Sequence, residues 1–285
     1  MVETPDVVVP MEDLPDPMSI NFLYKATNVS GAPVYVTAQL VTPPAGWADY
    51  AERQCGSLAI GQDDYFIFDT PTRTKPATNT TEVVTLRVTY YSDAGYSAEL
   101  NHEDIAYTYT YVDFDDVSYT TVDEDTFEID LEGWTKTDEV GSTVIERSVT
   151  VSRTGVGSMQ HLSFTDGEVA YVKKSFTIGA VTRAFIRIWM YAYIKKDAAS
   201  PYNEGEYIIE LITDAGGVNE RILPIAMDSA AKCGGEICMQ WLCVGAKIPV
   251  DGTFEVRLRP LCEYSGEESS PYGSIHYDDI KVIQS

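Results

Sequence analysis

Positive charge is scarce in this chain of 285 residues: 20 Lys and Arg stand against 44 Asp and Glu, giving a net charge of −24. The resulting field repels nucleic-acid phosphates and anionic lipids, which argues against nucleic acid as a partner, and favours bound cations. Histidine is also scarce, with 3 in the chain, so histidine-based catalysis and metal binding have little material. Long apolar runs are missing, which excludes a membrane-inserted helix. Helical periodicity is nearly absent. Neither a nucleophile-elbow G-x-S-x-G, nor a phosphate-cradling glycine loop, nor H-E-x-x-H occurs. A glycosidase needs only a carboxylate pair, and with 44 acids one cannot be picked out by context. The expectation is a non-enzymatic protein.

Alternation is abundant. In VVTLRVTYY, Val84, Leu86, Val88 and Tyr90 share one face, and Thr85, Arg87 and Thr89 share the other. This period of two marks a half-buried strand. Pro33 to Val41 and Ile105 to Val112 read the same way, and NVSGAP, TPPAGW and SDAGYS supply the turns. The reading is all-β with two domains. An arm over 1–18 precedes an antiparallel sandwich over 19–117. An acidic linker over 118–126 leads to a second sandwich over 127–285.

The arm carries prolines at positions 5, 10, 15 and 17 and acids at Glu3, Asp6, Glu12, Asp13 and Asp16. It reads either as a solvated tail or as a segment that packs on a neighbouring subunit. It lacks the basic start and unbroken apolar run of a signal peptide. Cys55 stands apart, whereas Cys233, Cys238, Cys243 and Cys262 fall in the second sandwich, as buried thiols, two disulfides or, least favoured by spacing, a zinc site. Sequons occur at Asn28 and Asn79.

The strand RAFIRIWMYAYI has an aliphatic face (Ile186, Ile188, Met190, Ala192, Ile194) and a face of Phe185, Arg187, Trp189, Tyr191 and Tyr193. Trp and Tyr stack on the C–H faces of sugars, and Arg donates to hydroxyls, so this second face suits a glycan. The same composition also suits a protein interface or an internal packing layer. Tyr107, Tyr109 and Tyr111 make a comparable stripe in the first domain, either adhesive or a cross-strand ladder.

From about residue 125 onward the chain resembles jelly-roll carbohydrate-binding modules and galactose-binding-like domains. The resemblance rests on the opening Phe127, Glu128, Gly133 and Trp134, then GVGSMQHLSF, YVKKSFTI and the terminal YDDIKV. It implies a structural Ca²⁺ held by Glu128 and Asp278, with Asp279 as the alternate, and a glycan on the aromatic face. Calcium's demand for hard oxygen ligands would also explain two adjacent aspartates in a strand. Residues 18–117 resemble immunoglobulin-like domains of archaeal and bacterial surface proteins. Two functions follow as expectations. One is a self-assembling structural or attachment protein of a virion or cell surface, acting extracellularly. The alternative is a glycan-binding module.

Overall fold

The computed structural model describes residues 6–12, 15–20, 22–68, 71–140, 144–162, 169–195, 207–227, 237–262 and 273–285. The chain forms two compact units, Met1–Asp113 and Phe114–Ser285.

The first unit contains β1 (Asp6–Pro10), β2 (Met18–Ser19), β3 (Phe22–Thr27), β4 (Val34–Val41), β5 (Trp47–Ala48), β6 (Arg53–Leu58), β7 (Asp63–Phe68), β8 (Thr72–Arg73), β9 (Thr80–Tyr91) and β10 (Glu99–Val112). Its main sheet runs β1-β10-β9-β4-β6, accompanied by the pair β3-β7 and the small sheet β2-β8-β5. The arm expected at 1–18 differs over its described residues 6–10. Residues 6–10 form a strand parallel to β10, from Asp6 opposite Thr108 to Pro10 opposite Val112. The β-branched run Val7–Val9 outweighs the flanking prolines, and Pro10 comes last in the strand. Met11 and Met18 are buried in the same core.

That core also absorbs the tyrosine stripe. Tyr107, Tyr109 and Tyr111 are buried and pack on Phe22 and on one another. The Tyr111 hydroxyl donates to Glu82 Oε1 at 2.7 Å, as does the Trp47 indole at 2.9 Å. The stripe is a core ladder, not an adhesive surface. The sequon asparagine Asn28 is likewise interior, 3% exposed, and donates to the Ala32, Leu58 and Ala59 carbonyls.

The second unit contains β11 (Thr120–Asp125), β12 (Thr135–Val140), β13 (Val144–Ser148), β14 (Ser158–Leu162), β15 (Val169–Ile178), β16 (Ala184–Lys195), β17 (Tyr207–Thr213), β18 (Arg221–Met227), β19 (Ile237–Ile248), β20 (Gly252–Cys262) and β21 (Gly273–Gln284). One sheet runs β13-β14-β21-β16-β19, with β11 also on β21, and the facing sheet runs β12-β15-β20-β17-β18. Trp134, Val172, Ile186, Ile188, Met190, Leu258, Tyr277 and Val282 belong to one apolar core. This is a jelly-roll sandwich, and with the first unit it gives the two-domain all-β architecture expected.

One detail differs from expectation. The acidic linker 118–126 is largely β11, which pairs with β21 from Thr120 opposite Gln284 to Asp125 opposite Ile280. The segment Phe127–Trp134, which opens the second sandwich, is a turn. Phe127, Glu132 and Gly133 all have positive φ, at 54°, 50° and 88°, which extended pairing does not accommodate. Cys233 lies outside the described residues, as do the side chains of Cys238 and Cys262.

Candidate functional site

Strand β16 separates its faces as its alternation demands. Ile186, Ile188 and Met190 enter the core. Phe185, Arg187, Trp189 and Tyr191 point to the opposite, outer face of the sheet. The side chain of Tyr193 lies outside what the structure describes.

Register assembles a row across that outer face. Tyr191 pairs with Trp241 on β19 and with His276 on β21. His276 pairs with Gln160 on β14, and Gln160 with Glu146 on β13. The row therefore reads Trp241, Tyr191, His276, Gln160, Glu146. It crosses four strand spacings of about 4.8 Å, about 19 Å in all. The Tyr191 ring lies 5.3 Å from that of Trp241 at 46° and meets His276 edge-on at 5.8 Å. Tyr191, Trp241 and Gln160 are half-buried, and Glu146 is exposed.

His276 is buried, and burial lowers its pKa to about 4, so the ring is neutral at ordinary pH. Its tautomer follows from its neighbours. The Ser158 hydroxyl donates its single hydrogen to the Val151 carbonyl at 2.6 Å. Ser158 Oγ must then accept from His276 Nδ1 at 3.0 Å, which leaves Nε2 as the lone-pair nitrogen.

The remainder of the aromatic face is covered. Phe185 meets Tyr119 edge-on at 6.0 Å, and Arg187 lies 5.6 Å from the Phe114 ring centroid. Lys281 holds this covering segment through Asp115 at 2.7 Å. Trp189 is 6% exposed, with the Arg153 guanidinium 3.8 Å above its ring. Among the described residues, the open platform expected from Phe185 to Tyr193 therefore shrinks to Tyr191 and its row. Trp241, His276, Gln160 and Glu146 were not legible as partners, because register between distant strands has no local signal.

Glu128, Asp278 and Asp279 do converge, on the loop between β13 and β14. A bulge in β21 makes this geometry. Arg187 faces Lys281 and Trp189 faces Asp278, so one residue of β16 opposes two of β21. Asp279, at φ 47°, takes the extra position, and both carboxylates leave the core. Asp278 Oδ2 accepts the Arg153 N–H at 2.7 Å, and its Oδ1 accepts the Asp279 N–H at 2.8 Å. Asp279 accepts from Arg153 Nη1 and Thr154 Oγ1, both at 2.6 Å. Glu128 accepts the Val156 N–H at 2.9 Å. Gly157 passes so close that a Cβ there would lie 2.1 Å from the Phe127 carbonyl oxygen.

The positive partner of the paired aspartates is thus Arg153. Each aspartate oxygen accepts from a protein donor, and one of those donors is the Arg153 guanidinium. This arrangement does not fit a calcium shell. No group of three or more His, Cys, Asp or Glu suited to a metal ion occurs among the described residues. Burial raises the Asp278 pKa to about 6, despite the N–H donors that favour its charged form.

A scan against protein-family models and a search of curated proteins each return no match. Solved structures similar to the chain include a CBM61 module in complex with β-1,4-galactotriose, with 11% identity and a TM-score of 0.36 over 53% of this chain and 88% of that one. The CBM22-1–CBM22-2 tandem of Paenibacillus barcinonensis Xyn10C has 11% identity and a TM-score of 0.36 over 96% and 81%. The K3 cleaved adhesin domain of Lys-gingipain from Porphyromonas gingivalis has 14% identity and a TM-score of 0.39 over 58% and 100%.

Proposed function

We propose that the second unit is a non-catalytic glycan-binding module acting at a cell surface or outside the cell. The observation that carries the reading is the cross-strand row Trp241, Tyr191, His276, Gln160, Glu146. Two half-buried aromatic rings offer stacking surface for sugar C–H faces. Beside them, in order, stand an imidazole, an amide and a carboxylate, groups that orient hydroxyls by hydrogen bonds. The row is long enough for a short extended oligosaccharide lying across the strands.

This reading takes precedence over a self-assembling structural subunit. The segment Asp6–Pro10 and the Tyr107–Tyr111 stripe, which motivated self-assembly, are spent inside the first unit. An attachment role on a virion or cell surface is compatible with glycan binding and would use the same row.

The test is a glycan array that includes galactans and xylans, probed with the intact chain and with Tyr191→Ala and Trp241→Ala. Binding is expected for the wild type, with each variant weakened by about tenfold or more, the effect of losing a contact of about 1.4 kcal/mol. Binding by all three forms alike would remove the row from the reading. A silent array across all forms would remove the reading itself.

A further inference from the structure

We propose that Trp189 is an occluded stacking subsite for a further pyranose ring, held shut by the Arg153 side chain. The inference rests on the glycan reading of the adjoining row.

Trp189 stands two residues before Tyr191 on the same face of β16, about 7 Å along the strand. It therefore continues the open aromatic surface. Above its ring stands the guanidinium of Arg153, 3.8 Å from the ring centroid. A planar cation stacked on an indole takes the seat that a sugar's C–H face would otherwise take.

The indole N–H is a second, independent sign. Trp189 Nε1 is buried and has no hydrogen-bond partner. The two other interior tryptophans differ: Trp47 donates to Glu82 and Trp134 to Asp125, each at 2.9 Å. A buried donor left without an acceptor is costly and calls for an explanation. A ligand hydroxyl seated on the ring edge would accept from it.

The cover is built to detach. Between Val149 and Val156 the loop is exposed or half-buried throughout. It is held by polar bonds, namely Arg153 to Asp279, Thr154 to Asp279, the Arg153 N–H to Asp278 and the Val156 N–H to Glu128. None of these belongs to the apolar core, so the side chain can leave without the sandwich opening. Once Arg153 leaves, Asp278 and Asp279 become acceptors for sugar hydroxyls beside the freed ring.

The experiment has two arms. In the first, acrylamide quenching of tryptophan fluorescence is measured on the free protein without any glycan. Arg153→Ala removes the cover but keeps the backbone N–H to Asp278. Asp279→Asn releases the guanidinium without truncating it, should the first variant fail to fold. Either is expected to add one tryptophan of the 4 to the accessible fraction, and the gain should vanish when Trp189→Phe is added. Unchanged quenching, or a gain that survives Trp189→Phe, overturns the occlusion. In the second arm the same proteins are applied to an array of extended oligosaccharides. Arg153→Ala is expected to bind about tenfold tighter than wild type, a gain lost with Trp189→Phe. Quenching gained without tighter binding overturns the subsite. An array silent for every form, wild type included, overturns the sugar assignment together with the function proposed above, and the quenching arm separates that outcome from a failed occlusion.

Discussion

Lys174 places its ammonium 2.6 Å from Oδ1 of Asp125, whose other oxygen accepts the Trp134 indole N–H at 2.9 Å. Asp123 completes the arrangement, 2.7 Å from the same ammonium. The group ties β11 to β15 at the mouth of the second core. Breaking a buried pair from one side leaves an uncompensated charge, which costs about 3–5 kcal/mol. Lys174→Met is therefore expected to lower the thermal midpoint of this unit far more than the double change Lys174→Met with Asp125→Asn. Calorimetry of the single and double variants checks the order; equal losses would show that the unpaired Asp125 charge is not what the single variant suffers from.

Much of this architecture was legible in sequence, and the reason is period two. The residues that β4, β9 and β16 give to the two cores fall where alternation put them. What was illegible is what depends on register or on unusual backbone. Phe127 and Glu132 adopt positive φ without being glycine, a conformation that their residue types do not announce. The bulge that turns Asp278 and Asp279 to one side exists only in the pairing of β16 with β21. Arg153 carried no signal at all, because it reaches the aspartates from a loop more than a hundred residues earlier. The row of the candidate site draws on five strands, and only Tyr191 was singled out beforehand.

Protein donors hold the loop that Glu128, Asp278 and Asp279 surround. Chelation with EDTA should accordingly leave the melting temperature of the second unit unchanged. Asp279→Ala should lower it by several degrees, since it strips both Arg153 and Thr154 of a buried partner. A chelator-sensitive melt that Asp278→Asn abolishes would restore the calcium reading.

Acid acts on this unit in two opposing directions. Burial raises Asp278 from 3.8 to about 6, so the folded state holds its proton more tightly than the unfolded chain. Its contribution is fully present below about pH 3.8 and is lost as pH rises through about 6. Burial lowers His276 from 6.5 to about 4, so its contribution is present above about pH 6.5 and is lost as pH falls through about 4. Relative to wild type, His276→Gln should gain melting temperature as pH falls across that window, and Asp278→Asn should lose it. Parallel curves for either variant would mean that its group titrates alike in both states.

Neutral His276 makes a final prediction about binding. Its Nδ1 hydrogen is committed to Ser158, and burial keeps the ring uncharged until pH approaches about 4. A glycan seated on the row therefore meets the same imidazole from about pH 8 down to about pH 5, unlike an exposed histidine titrating near 6.5. Asp278 titrates inside that range, so affinity itself is a poor readout. The ratio of wild-type to His276→Gln affinity isolates the ring, because the aspartate is common to both proteins. That ratio is expected to stay constant from about pH 8 to about pH 5 and to change only below it. A ratio that steps near pH 6.5 would show an imidazole open to water, and His276 would then belong to the ligand's solvent rim instead of the floor of the row.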